Sequence, residues 1–195
     1  MTQPTSRQQQ RTHATVATLL ASATRLFGER GYAATALEDI ALDCGLTIGA
    51  IYHHFGNKKA LFAAVNEAVE QRIIDCGRDI DDTDPGQLMQ SRWRAFLALC
   101  DDPGFRRIVL IDSPHILGRD RWADSEVTTQ VGQVAGPDRD DLKRTLALRI
   151  LRGAMAEAAL ALAEADNDTA TRRHIDALVD SILTGVTAHL HSNPS

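Results

Sequence analysis

The chain is predicted to be all-α, with a three-helix helix-turn-helix unit at its amino-terminal end and a larger helical body after it. Three observations predict this. Apolar residues recur at three- and four-residue steps along most of the length. No stretch alternates apolar and polar residues for long enough to make a strand. Two short segments, residues 35–44 and 47–55, are separated by so tight a turn that they form a helix-turn-helix. At 195 residues, 44% hydrophobic and 24% charged, the chain can bury a proper core.

Residues 1–11, rich in Thr, Gln, Ser and Arg, read as a flexible arm. A first helix starts at Thr12, carries Val16, Leu19, Leu20, Ala23, Leu26 and Phe27 on one face, and stops at Gly31, a left-handed cap. Thr35-Ala36-Leu37-Glu38 has the form of a capping box and opens a second helix through Ile40, Ala41 and Cys44, ended by Gly45. Thr47 caps a third helix that Gly56 breaks, and Asn57 caps a fourth, striped by Leu61, Phe62, Val65, Ala68, Val69, Ile73 and Cys76. The amino-terminal unit is thus residues 12–60 and the body 61–195. Asp79 to Gly86 is an acid-rich loop. Helices follow over 87–101, 104–117 with an internal Pro114, and 119–134. Two long ones then cover 138–165 and 170–190, parted by Asp166-Asn167-Asp168-Thr169. The total is about nine helices.

Composition narrows the function. No window approaches the roughly 20 apolar residues of a membrane span. The first residues lack a basic segment followed by an apolar run and a cleavage site, so a cytoplasmic location without membrane attachment is expected. The net charge of -5 is unevenly divided. Residues 1–60 hold six Lys/Arg against four Asp/Glu, a balance of +2, and the remainder holds 15 against 22, a balance of -7. An acidic body with a mildly basic end fits nucleic-acid contact at that end. Cys44, Cys76 and Cys100 are too widely spaced for a zinc site and too few for a disulfide framework, so no metal or cofactor is expected. A redox-sensing regulator working through Cys76 or Cys100 stays open as an alternative. Asp112 and His115 raise the alternative of acid–base catalysis, but no nucleophile with a paired base, phosphate loop or H-E-x-x-H motif accompanies them.

The third helix carries the sharpest chemistry. Ile48, Ile51 and Phe55 are spaced to pack inward, and Gly49, Ala50, Tyr52, His53 and His54 fall largely on the outer face. A slim first turn followed by flat hydrogen-bonding side chains suits a helix lying in a major groove. Thr35 and Lys58 begin the helices on either side, where free amides and the helix dipole favour phosphate.

The run Ala36-Leu37-Glu38-Asp39-Ile40-Ala41, then Cys44-Gly45-Leu46-Thr47-Ile48-Gly49-Ala50-Ile51-Tyr52-His53-His54-Phe55, then Asn57-Lys58-Lys59-Ala60-Leu61-Phe62 strongly resembles the TetR-family DNA-binding domain over residues 12–62. That resemblance implies operator contacts from Thr35, Thr47, Gly49, Tyr52, His53, His54 and Lys58, with Ile48 and Ala50 completing the candidate DNA-binding set. It places Phe55 in the domain's own core. It also implies a homodimer reading a palindromic, double-stranded operator, released when a small-molecule effector enters a variable helical body. Phe105 to Gly118, followed by Arg121-Trp122, resembles a regulatory domain of many regulators of this family.

In the body, Pro114 is expected to kink its helix and open space beside it. Trp93, Phe96, Leu97, Cys100, Ile108, Ile111, Asp112, His115, Trp122 and Met155 are the pocket candidates. The last two helices are rich in small residues that permit close approach. The resemblance puts the dimer interface there, with Gly153, Leu160, Leu178, Ile182, Gly185 and Val186 as candidates. In the expected mechanism, helix 4 grips the DNA-binding unit through Leu61, Phe62 and Val65 and swings when ligand binds.

Overall fold

A computed structural model describes residues 7–118 and 142–191. In chain order its elements are α1 (Arg7–Ala34), α2 (Leu37–Asp43), α3 (Ile48–Phe55), α4 (Lys58–Arg78), α5 (Pro85–Leu99), α6 (Pro103–Phe105), a π-helix π1 (Arg106–Asp112), α7 (Ser113–Ile116), α8 (Leu142–Glu164) and α9 (Thr169–His191). The described residues contain no strand. The helix expected over 119–134, with Trp122, lies outside them.

α1 is longer than its apolar period implies. Residues 7–11, expected to belong to the arm, are already helical, because Arg and Gln are good helix formers and no Gly or Pro interrupts them. Gly31 does break the helix, at φ +81°. The expected capping box of α2 does not form: the cap residue is Ala36, which offers no side-chain hydrogen bond. The Thr35 hydroxyl instead turns back to α1, where it donates to the carbonyls of Gly31 (2.8 Å) and Leu26 (3.2 Å). The other two caps form as expected. Thr47 accepts from the Ala50 amide at 3.3 Å and Asn57 from the Ala60 amide at 2.8 Å.

α4 belongs to both halves of the molecule. Leu61, Phe62 and Val65 are fully buried beneath α1 and α3, and Val69 and Ile74 continue the buried stripe toward α5. Asn66 and Glu70 lie on that same stripe, and the Asn66 amide donates to the Glu70 carboxylate at 2.7 Å. α5 starts at Pro85, a residue type suited to a first turn, and Asp84 accepts from the Gln87 amide at 2.8 Å.

The segment expected to be one kinked helix over 104–117 is instead three pieces. Asp102 caps α6 through the Gly104 and Phe105 amides, the turn then widens into π1, and the Ser113 amide donates to the Ile108 carbonyl five residues back. Pro114 has no N–H to give the Leu110 carbonyl, so the α-helical pattern fails just where π1 sits. α8 and α9 form a hairpin whose corner places Asp166 and Asn167 in left-handed backbone. Arg106 holds that corner through Asp166 at 2.9 Å. One apolar cluster runs unbroken from Leu19 in α1 to Leu183 in α9.

Candidate nucleic-acid interface

α2 and α3 are set on α1 by burial on one side and by charge on the other. Leu37, Ile40, Ala41 and Ile51 close over Leu19, Ala23 and Phe27. At the rim, the Ser22 hydroxyl donates to Asp43 at 2.6 Å, Arg25 pairs with Asp43 and Glu29, and Arg30 pairs with Asp39 at 3.4 Å. Two of the six basic residues in this half are therefore already matched to acids of α1 and α2.

With Ile51 at 0% exposure, the rest of α3 is fixed in rotation. Tyr52 is 53% exposed, Thr47, Gly49 and His53 are exposed, and Ile48, Ala50, His54 and Phe55 are half-buried. The His53 and His54 rings meet edge to face with centroids 4.9 Å apart. The outer face is therefore slim at Gly49 and Ala50 and carries a phenol and two imidazoles one turn later, a relief that fits a groove floor and its flanking phosphates.

Two members of the expected set stand differently. Thr35, expected to begin a helix whose free amides favour phosphate, is instead 0% exposed with its hydroxyl engaged by α1, and it precedes the α2 cap Ala36. The Lys58 ammonium lies over the Tyr32 ring, 4.4 Å from its centroid. Burial pushes its pKa below the ordinary lysine value, and the Asp112 carboxylate pushes back. Tyr32 in turn stacks on Phe27 (5.9 Å) and meets Phe62 edge-on (5.1 Å), so Lys58 is seated on the aromatic cluster that joins α1 to α4. Tyr32 is not among the residues expected from sequence, because a lone tyrosine just past a helix-ending glycine gives no periodic signal to find it by.

The body candidates divide by where they face. Trp93, Phe96, Leu97, Cys100 and Ile108 are buried, with the Trp93 and Phe96 rings stacked at 5.3 Å, and Met155 packs against the same core. Ile111 is 41% exposed and His115 is exposed, so neither lines an interior pocket. Asp112 turns toward the amino-terminal unit, where its carboxylate accepts the Tyr32 backbone N–H at 2.7 Å. All three residues lie in or just after π1, whose widened turn does not keep the 3.6-residue period on which a regular α-helix would assign their faces. Among the described residues seven buried side-chain polar atoms lack a partner, and three of them, the Asn66 amide oxygen, the Trp93 indole nitrogen and the Ser113 hydroxyl, belong to α4, α5 and α7.

On the far side, Leu146, Ile150 and Leu178 are exposed at 46%, 67% and 62%. Leu146, Ala147, Ile150, Gly185, Val186 and His189 line a groove between α8 and α9. Among the expected interface residues, Gly153 and Gly185 are exposed with open space where a side chain would stand, and Leu160, Ile182 and Val186 are half-buried. Leu146 and Ile150 were not expected, although with Leu142 and Gly153 they make a plain three- and four-residue stripe on α8. Among the described residues no group of three or more His, Cys, Asp or Glu is placed to hold a metal ion, and no helix is long and apolar enough to cross a membrane.

Two family models match the chain, one in each half. Residues 19–65 match the profile of bacterial regulatory proteins of the tetR family, and residues 87–186 match the tetracyclin repressor-like C-terminal domain. A TetR-family transcriptional regulator from Pectobacterium atrosepticum, solved as a crystal structure, is 31% identical with a TM-score of 0.70, covering 93% of this chain and 97% of its own. A TetR variant from Acinetobacter baumannii AYE, solved in complex with minocycline, shares the fold at 21% identity and a TM-score of 0.64, over 90% of this chain and 98% of its own. Among curated relatives, the regulator TtgR of Pseudomonas putida is 36% identical over 98 residues, 48% of this chain. The regulator YerO of Bacillus subtilis is 41% identical over 49 residues, 25% of this chain. The matches span 47% and 17% of those two proteins' own lengths. The chain belongs to the TetR family of helix-turn-helix transcriptional regulators, and is a DNA-binding regulator, not an enzyme.

Proposed function

We propose that this regulator is a cytoplasmic homodimeric repressor that holds a palindromic operator through α3 of each subunit and releases it when a small molecule enters the helical body. The observation that carries the reading is the outer face of α3, where Gly49, Tyr52 and His53 stand exposed while Ile51 is sealed beneath them. The exposed aliphatic face of α8 and α9 supports a second copy as partner, since no monomer gains by wetting Leu146, Ile150 and Leu178 together. The unpartnered Asn66, Trp93 and Ser113 atoms support an effector site, because buried polar groups are destabilising until something satisfies them. Trp93, Phe96, Leu97, Cys100, Ile108 and Met155 are the apolar wall proposed around it. The minocycline bound by the Acinetobacter protein supports a small organic effector as the class.

The redox alternative gains nothing from the thiols. Burial pushes Cys100 up to about 12 and raises Cys76 as well, the opposite of the thiolate character that a sensor needs. The test is enrichment of duplexes from a random-sequence pool by the purified chain. The expected product is an inverted repeat with half-sites about one helical turn apart. Failure to enrich any sequence, or enrichment of an unpaired single site, contradicts the proposal.

A further inference from the structure

Besides the shared helix α4, the amino-terminal unit meets the body along a seam where the end of α1 crosses α6 and π1. At the crossing, the two backbones touch through glycines: a Cβ added to Gly28 would stand 3.1 Å from the Gly104 Cα. Beyond the crossing, two charged side chains of π1 reach the frayed end of α1. The Arg107 guanidinium donates to the Glu29 carbonyl at 3.0 Å, and the Asp112 carboxylate accepts the Tyr32 N–H at 2.7 Å. Both partners flank Gly31, whose φ of +81° takes the backbone out of the helical pattern and leaves these groups to be satisfied from outside.

Arg107 and Asp112 are five residues apart. In an α-helix of 3.6 residues per turn that spacing sends side chains to different faces. The wider π turn brings both onto the face that meets α1. The paired arrangement therefore depends on the π register, and a return of π1 to α-helical winding would withdraw one residue or the other. What the pair holds matters for DNA. The Tyr32 ring carries the Lys58 ammonium and packs on Phe62, so the position of the Tyr32 backbone is passed directly to the first turn of α4, immediately after α3.

We propose that Arg107 and Asp112 are positioning residues for operator binding, a two-point latch that fixes α3 in its DNA-fitting orientation through Tyr32 and α4 and opens when π1 loses its π register. This rests on the operator-binding reading above. It differs from a simple swing of α4 in making the α1 seam the place where the two halves are coupled.

The test uses full-length dimers of Asp112→Leu, which keeps the side-chain shape and removes the acceptor, of Arg107→Gln, and of the double variant. Each is titrated with the duplex that the wild-type chain enriches, and amide exchange is followed for the segment 29–35. Each single change is expected to weaken binding about tenfold, the worth of one charge-assisted hydrogen bond. The double change is expected to fall well short of a hundredfold, because one broken point already frees the latch. Exchange at 29–35 should rise in all three variants, with tryptophan emission and sedimentation unchanged. Affinities within twofold of wild type, fully additive losses, or unaltered exchange at 29–35 would overturn the latch. If the wild-type chain enriched no duplex, the operator-binding reading itself would fail, and unaltered exchange would still refute the latch separately.

Discussion

The outer face of α3 and the outer face of α8 and α9 are both left uncovered by the fold, and they differ in kind. On α3 the exposed groups are a phenol and an imidazole, with a second imidazole half-buried, around a slim glycine turn, all able to hydrogen-bond to water when no partner is present. On α8 and α9 they are aliphatic, Leu146, Ile150 and Leu178, with two open glycines between. The first face suits a hydrated, charged partner that comes and goes. The second suits a partner that stays. The two interfaces should therefore fail independently at the level of folding and jointly at the level of DNA binding, since a palindrome needs both.

Ile150→Glu is the sharpest way to break that division. Ile150 is 67% exposed in the monomer, so the glutamate disturbs no internal packing. Sedimentation should show monomers of native helical content, with operator affinity reduced on the order of 100-fold, because a single half-site offers half the contacts. A stable dimer would move the interface off this face.

A pair of glycine substitutions sharpens the contrast between a buried seam and an open face. Gly28→Ala forces a Cβ against the Gly104 backbone and should destabilise the protein by about 1–3 kcal/mol. Gly49→Ala meets nothing closer than the Thr47 hydroxyl at 3.7 Å, so it should stabilise α3 by up to about 1 kcal/mol while thickening the surface offered to DNA. Urea midpoints at equal protein concentration should therefore move in opposite directions. Midpoints moving together would mean that the two glycines are not in such different settings.

The amino-terminal half was legible because short-range rules govern it. Thr47 and Asn57 cap the helices that their positions imply, and the three- and four-residue spacing around Ile51 gives the rotation of α3 correctly. Thr35 was misassigned because the same residue type that caps a helix also serves to satisfy carbonyls at the end of the preceding one, and only the break at Gly31 decides between them. In the body, Ile111, Asp112 and His115 were read on a 3.6-residue period that π1 does not follow. Pro114 signals that the α-helical pattern fails nearby, but a kink and a widened turn answer that loss equally well. The Gly28–Gly104 crossing and the Tyr32–Asp112 bond join residues 76 and 80 positions apart in sequence, a reach that local pattern does not have.

The central claim, that the outer face of α3 and the start of α4 hold the operator, is tested most directly by the salt dependence of duplex binding in Tyr52→Ala and Lys58→Ala beside the wild-type dimer. Tyr52→Ala should weaken binding about tenfold with no change in thermal stability. Lys58→Ala should in addition flatten the plot of log affinity against log salt by about one unit for each phosphate that the lysine no longer neutralises. Wild-type affinity in the Tyr52 variant together with an unchanged slope in the Lys58 variant would contradict it.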